Sequence, residues 1–192
     1  MIYFTSDTHY GHKNIVRGES RWPDDAGCRD FDTVKEMNDI LVENINTTVG
    51  EDDVLYHLGD WSFGGLKNIF EFRQRLKVKT VHLLLGNHDE NIRKNREGCQ
   101  ALFTSVSDYK EIKIESYTII LSHYSFRVWN RSHKGSWMLF GHSHNTLQGV
   151  NDIKSMDVGI DAHPEFRPFS YEEIKKIMNK RKIINVDKHE SR

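Results

Sequence analysis

Short apolar runs closed by polar breaks recur along the chain: Ile2–Thr5, Val54–Leu58, Thr80–Leu85, Tyr117–Leu121, Trp137–Phe140 and a weaker Met156–Ile160. Runs of this length bounded by turn-forming residues predict β-strands. Lys110–Ile114 alternates instead, with Ile112 and Ile114 on one side, which predicts a strand with one wet face. Helical spacing lies between these runs. Val34, Met37, Leu41 and Ile45 share a stripe, and Thr33 with Glu36 has the spacing of a capping box. Leu66 to Leu76 predicts a second helix. A third begins after Ser170, with Glu173 in the box position and Tyr171, Ile174 and Ile177 on one face. The lysines from Lys175 to Lys182 read as its solvated side. Strands alternating with helices predict an α/β protein.

The chain has 192 residues and only three prolines, with no repeat and no low-complexity linker. That suits one domain over residues 1–180, followed by a loosely docked tail over 181–192. A core of this size buries roughly 70% of the unfolded surface. The two cysteines, Cys28 and Cys99, have no metal-ligand spacing and read as thiols in a reducing compartment. No run is long and apolar enough to span a membrane, and MIYFTSDTH lacks the basic and apolar regions of a secretion signal. The expected location is therefore cytoplasmic. Twenty-seven basic and 28 acidic residues give a formal charge of −1, which argues against a partner such as extended nucleic acid. A nucleotide in a local pocket stays open. Nothing in the pattern specifies an oligomeric state.

Histidine is over-represented, with 11 residues, and the residues just after each apolar run are more telling than the count. In open α/β sheets ligands gather beyond the carboxyl ends of the strands. After Ile2–Thr5 comes Ser-Asp7-Thr-His9, and after Val54–Leu58 comes Gly-Asp60. Thr80–Leu85 leads to Gly-Asn87-His88-Asp89, Tyr117–Leu121 to Ser-His123, and Trp137–Phe140 to Gly-His142-Ser-His144. Residues i and i+2 of extended backbone face the same way, so Asp7 with His9 and His142 with His144 can aim at one spot. His57 and His82 fall inside strands and read as structural. His163 and His189 read as exposed.

In order and in kind these blocks (DxH, GD, GNHD, a lone H, GHxH) resemble those of the calcineurin-like metallophosphoesterases, over residues 5 to 144. The segments YFTSDTHYGHKNI and DVGIDAHPEFRPFSYEEI look like a short, compact subgroup of that family. The resemblance implies a four-layer α/β/β/α sandwich with a dinuclear centre at one rim. It implies Asp7, His9 and His144 on the first metal, Asn87, His123 and His142 on the second, and Asp60 bridging both. The nucleophile would be a shared hydroxide and His88 the general acid for a small phosphodiester or phosphomonoester substrate. Two carboxylates, an amide oxygen and four imidazoles suit Mn²⁺ first, with Zn²⁺ or Fe as alternatives. One departure is visible. A related branch pairs its acid histidine with an Asp three residues after the GD aspartate, and here that position is Phe63.

Further candidates for substrate contact are His12, Arg21, Arg127, Trp129, His133 and Ser136. The stretch from Arg127 to Trp137 interleaves basic and aromatic groups between two ligand-bearing strands. There an Arg could grip phosphate and a Trp could stack on a base. Trp22 and Trp61 read as rim or core packing. Two rival readings are an exonuclease acting on single-stranded ends, which needs a basic, aromatic groove, and a non-catalytic metal-binding scaffold, which would lack ligands or the acid histidine.

Overall fold

The computed structural model describes residues 1–24, 26–95, 97–148 and 152–183. Two sheets face each other. The first has the order β4-β3-β2-β1-β9, built from β1 (Ile2–Thr5), β2 (Val54–His57), β3 (Thr80–Leu84), β4 (Ser105–Ser107) and β9 (Phe169–Ser170). Its first four strands are parallel, and β9 pairs antiparallel with β1. The second has the order β5-β6-β7-β8: β5 (Tyr109–Ile114) runs antiparallel to β6 (Tyr117–Ser122), which is parallel to β7 (Trp137–Phe140) and so to β8 (Ser155–Asp157).

The period-2 rule explains which residues meet. Phe4, Leu58 and Leu84 of the first sheet meet Ile119, Leu121, Trp137 and Leu139 of the second in one cluster, closed by Tyr171, Ile174 and Met178 of α4 (Tyr171–Lys180). Tyr3, Leu55, Val81 and Leu83 point the other way. They pack under α1 (Val34–Thr48) and α2 (Leu66–Arg75) through Leu41, Ile45, Ile69 and Phe72. The outer layer on the second sheet is thin. Ile120, Met138 and Phe140 are covered by Phe126, Trp129 and Ile153. The chain is an α/β sandwich of two sheets, with α1 and α2 over the outer face of the first and α4 closing the cluster between them.

The strands β4 and β9 and the short α3 (Glu90–Lys94) have no counterpart in the apolar pattern. β4 is only Ser-Val-Ser at a sheet edge, and β9 is two residues long. The weak run Met156–Ile160 is cut short. Asp157 turns the chain by accepting from Gly159 N–H at 2.7 Å and Asn145 N–H at 2.9 Å, and Ile160–Ala162 forms a 3-10 turn. The Ser170–Glu173 box closes in both directions. The Thr33 box closes in one, because the Glu36 carboxylate accepts from Asp32 N–H rather than from Thr33. His163 is 8% exposed, against the exposed position expected, because its Nδ1 accepts from Glu165 N–H and Phe169 packs on its ring. His189 lies outside the described residues, as does most of the expected tail. Of the tail's described part, Lys182 N–H donates to the Asp152 carbonyl at 3.0 Å.

Candidate metal centre

All five ligand-bearing segments emerge at one rim, where the carboxyl ends of β1, β2, β3, β6 and β7 converge. Asp7, His9 and His144 place donor atoms within 4.8 Å of one another, and so do Asp60, His123 and His142. Each group draws from both sheets. Asp7, His9 and Asp60 come after strands of the first; His123, His142 and His144 come after strands of the second. Asp60 lies between the groups: its Oδ2 is 3.5 Å from His9 Nε2 and 3.6 Å from His123 Nε2. Two donors each about 2.1 Å from one tetrahedral ion lie ~3.4 Å apart, so one oxygen at these distances can serve both sides. Asn87 Oδ1 lies 3.0 Å from His123 Nε2, beside the second group.

The donor set fits cations better than it fits emptiness. Asp7 Oδ1 and both ring nitrogens of His9 are buried without a hydrogen-bond partner. A buried polar atom left unpaired costs about 1–3 kcal/mol, and burial pushes the Asp7 carboxyl up to about 7. Burial likewise holds His9 well below the usual imidazole range, so it presents lone pairs.

The backbone is bent to this purpose. Asp7, His9, Asp60, His142 and His144 all have positive φ, between 44° and 66°. Such residues cost about 1–3 kcal/mol each and persist only where surroundings over-determine them. Here Asp7 N–H donates to Gly59 O, His9 N–H to Asp60 O, and His142 N–H to Asp7 Oδ2. The glycines ahead of the ligands are a steric necessity at two points. A Cβ on Gly86 would sit 2.2 Å from Asp60 Oδ1, and one on Gly141 would sit 1.9 Å from Ser6 Oγ.

A surrounding layer fixes the imidazoles. Leu58 O accepts from His123 Nδ1 at 2.8 Å, so the proton is on Nδ1 and Nε2 keeps its lone pair. Asp161 does the same for His144 Nδ1 at 2.7 Å. Arg29 clamps Asp161 through Nε and Nη2 and donates to the Asp7 and Thr8 carbonyls. Burial works against the Asp161 charge, but Arg29 and His144 hold its carboxyl well below the usual range. Asp89 accepts from the N–H groups of Asp60, Trp61 and Gly86 and so ties two ligand loops together. Arg29, Asp161 and Asp157 belong to no recurring spacing in the chain. The Arg29–Asp161 pair spans 132 positions, and among the described residues Asp157 is held only by backbone N–H groups.

This geometry fits one known design. A family model described as calcineurin-like phosphoesterase matches residues 1–189. The chain belongs to that family. A calcineurin-like phosphoesterase of this size also has relatives of similar length. An uncharacterized protein of Methanocaldococcus jannaschii is 29% identical, over 96% of this chain and 95% of its own. The gene 66 protein of Mycobacterium phage L5 is 26% identical, over 83% and 86%. A protein of unknown function from Aquifex aeolicus shares the fold with a TM-score of 0.69 at 24% identity, covering 92% of this chain and 98% of that one. Calcineurin-like phosphoesterases use divalent metal ions, and the two Asp/His groups are where this member could hold them.

The cleft above the two groups has a volume of about 360 Å³ and is lined by His9, His12, Asn14, Ile15, Trp22, Asp60, Phe63, Asn87, His88, His142 and His144. His12 stacks on Phe63 at 4.1 Å between ring centroids, and Trp22 stands edge-on to His12 at 6.0 Å. Burial lowers His12 to about 4, so it faces the cleft uncharged. The His88 ring packs against Phe63 and His9, and its backbone N–H donates to Asp60 Oδ1 at 2.9 Å. Phe63, where the related branch has Asp, therefore supports the His88 ring by packing. A shallower trough of about 710 Å³ continues past Ile15, Trp22, His142 and His144 to Leu147 and Gln148.

Several expected substrate contacts fall elsewhere. Trp129 is 8% exposed, donates its indole N–H to Ser136 O and packs on the second sheet. Withdrawing it would forfeit about 3 kcal/mol of burial, more than the ~1 kcal/mol a ring stack returns. Ser136 donates to Asn130 O and faces away from the cleft, at the other end of β7. His133 lies in the same turn, Ser132–Lys134, that leads there. Arg21 and Arg127 are exposed and do not line the cleft. His12 alone of the six does.

Proposed function

We propose that the chain hydrolyses small phosphodiesters bearing a planar or apolar substituent, such as nucleotide-like esters, with His88 delivering a proton to the departing oxygen. Asp7, His9 and His144 would hold one divalent cation and Asn87, His123 and His142 another, with Asp60 shared. When bound, such ions polarise phosphoryl oxygens and make water nucleophilic at neutral pH. The mixed carboxylate, amide and imidazole set makes Mn²⁺ the ion to test first. The cleft residues orient the ester. Trp22, Ile15 and Phe63 offer apolar and aromatic faces beside the groups where phosphate would sit, and His88 stands at the open side.

One observation carries the choice of a diester. No Lys or Arg is among the described residues lining the cleft. A monoester dianion gains much from a side-chain cation, whereas a diester carries one charge that the bound ions can neutralise. The same lack disfavours a strand of nucleic acid, which needs a basic track. The unpaired thiols of Cys28 and Cys99 agree with a reducing cytosol, and no helix among the described residues is long and apolar enough to cross a membrane.

The test is a comparison of bis-para-nitrophenyl phosphate, para-nitrophenyl phosphate and a cyclic nucleotide with Mn²⁺. Wild type should favour the diesters. Asp60→Asn should abolish turnover on all three. His88→Ala should lose about 10²–10⁴-fold on the cyclic nucleotide, whose alkoxide needs a proton, and much less on the nitrophenyl esters. A clear preference for the monoester would overturn the substrate assignment, and variants as active as wild type would overturn the whole reading.

A further inference from the structure

A second pocket, of about 400 Å³, lies at the opposite end of the second sheet from the metal groups. Tyr117 and Thr118 open β6, Ser136 precedes β7 and Lys154 precedes β8, so these residues mark the amino ends of the strands. His123 and His142 lie past the carboxyl ends of β6 and β7. The six residues of β6 separate the two rims by about 20 Å, too far for one small substrate to touch both.

The pocket is basic without being paired. Lys113, Arg131, Lys134 and Lys154 line it, and no acidic residue does. Lys113, Arg131 and Lys134 have no acidic partner among the described residues. The acids of the adjoining hairpin are engaged elsewhere: Glu111 accepts from Asn130 and Glu115 from Lys175. Lys154 is partly buried, with its ammonium on the Met178 carbonyl at 2.5 Å, and burial lowers its pKa. Arg131 holds a left-handed backbone, φ 60°, at the start of the turn that carries Lys134. A chain of net charge −1 thus concentrates four cations around one recess. Such an arrangement repels itself unless an anion shares it.

We propose that this recess is a binding site for a small polyphosphate anion, separate from the metal-dependent centre. Lys113, Arg131 and Lys134 supply charge-assisted donors to the phosphoryl oxygens, and Ser116 and Thr118 add hydroxyls. The volume admits a diphosphate or a nucleoside diphosphate, and the Tyr117 ring and Ile183 at the wall give a base something to pack on. The site does not depend on the reading of the metal centre.

Calorimetric titration of the metal-loaded protein with inorganic pyrophosphate, and in parallel with adenosine diphosphate, tests this. In Asp60→Asn, whose metal centre is disabled, one saturable binding step should remain. It should weaken by about tenfold or more for each cation removed in Lys113→Ser and Lys134→Ser. The double variant should keep wild-type diesterase activity, which shows that it folds. Equal affinity for the two probes identifies free phosphate chemistry as the target, and tighter binding of adenosine diphosphate identifies a nucleotide. Should Asp60→Asn prove unstable, the number of steps in wild type against the double variant decides. Absence of a second step, or a step unaffected by loss of both lysines, overturns the proposal.

Discussion

Asp161 belongs to neither candidate metal group, yet it decides how His144 faces one of them. Its Oδ2 accepts from His144 Nδ1 at 2.7 Å while Arg29 donates to both carboxylate oxygens. Asp161→Asn keeps the shape and loses the charge. It should weaken metal affinity about 10–100-fold, measured by metal titration of the stripped protein, and lower the melting temperature because the buried Arg29 loses its charge partner. Unchanged affinity would remove Asp161 from the positioning role. Gly86→Ala is the opposite kind of change, steric rather than electrostatic. The new Cβ meets Asp60 Oδ1 at 2.2 Å, and that oxygen cannot retreat because His88 N–H holds it. Loss of metal binding should accompany a stability loss of about 1–3 kcal/mol in urea unfolding. At this scale the members of the two candidate donor groups were legible, because each comes after an apolar run in an ordered block. Arg29, Asp161 and Asp157 were not. Isolated charged residues in loops look like surface until folding buries them, and Arg29 reaches Asp161 only across 132 positions.

Among the elements, α4 offers the cleanest test of how local sequence becomes stability. Glu173 closes the capping box with Ser170 and receives Arg167 in a forked pair at 2.7 and 3.2 Å. The Arg167 hydrogen bonds, with those from Ser170, lower its carboxyl to about 2 from the ordinary 4.5. A carboxylate depressed on folding gives stability that is full above about pH 4.5 and is lost as pH falls toward 2. Glu173→Gln should cost about 1 kcal/mol at neutral pH, the pair being partly exposed. It should also flatten the acid side of the stability curve, followed by circular dichroism between about pH 2 and 6. An unchanged acid limb would show that the pair contributes nothing. Apolar runs and stripes located seven of the nine strands and three of the four α-helices found among the described residues, because burial imposes a period. They passed over β4, β9 and α3, which are too short to carry one. The Arg127–Trp137 stretch misled for a related reason. Its mix of charge and aromatics resembles a substrate loop, but among the described residues it is Trp129, Phe126 and Ile153 rather than a helix that cover the outer face of the second sheet, which makes Trp129 a core residue.

For the molecule as a whole, a left-handed, partly unsatisfied rim should be the least stable part of an otherwise closed sandwich, and cations should repair it. Anything that binds only the folded state adds about 2.7 kcal/mol at a hundredfold excess over Kd, worth several degrees of melting temperature for a chain of this length. Mn²⁺ should therefore raise the midpoint of thermal unfolding and a chelator lower it, and both shifts should vanish in Asp60→Asn. A midpoint indifferent to metal would mean that the rim is satisfied some other way.

Each donor group takes members from both sheets, and this fixes an order of events in time. Neither sheet alone holds either donor group complete, and β6 and β7 arrive some sixty residues or more after β2 in synthesis. Full affinity for metal is thus a clock hand that moves only once the halves have docked. A chromophoric ion such as Co²⁺, added during refolding, should gain its absorption band after the far-ultraviolet signal is complete, and never with it.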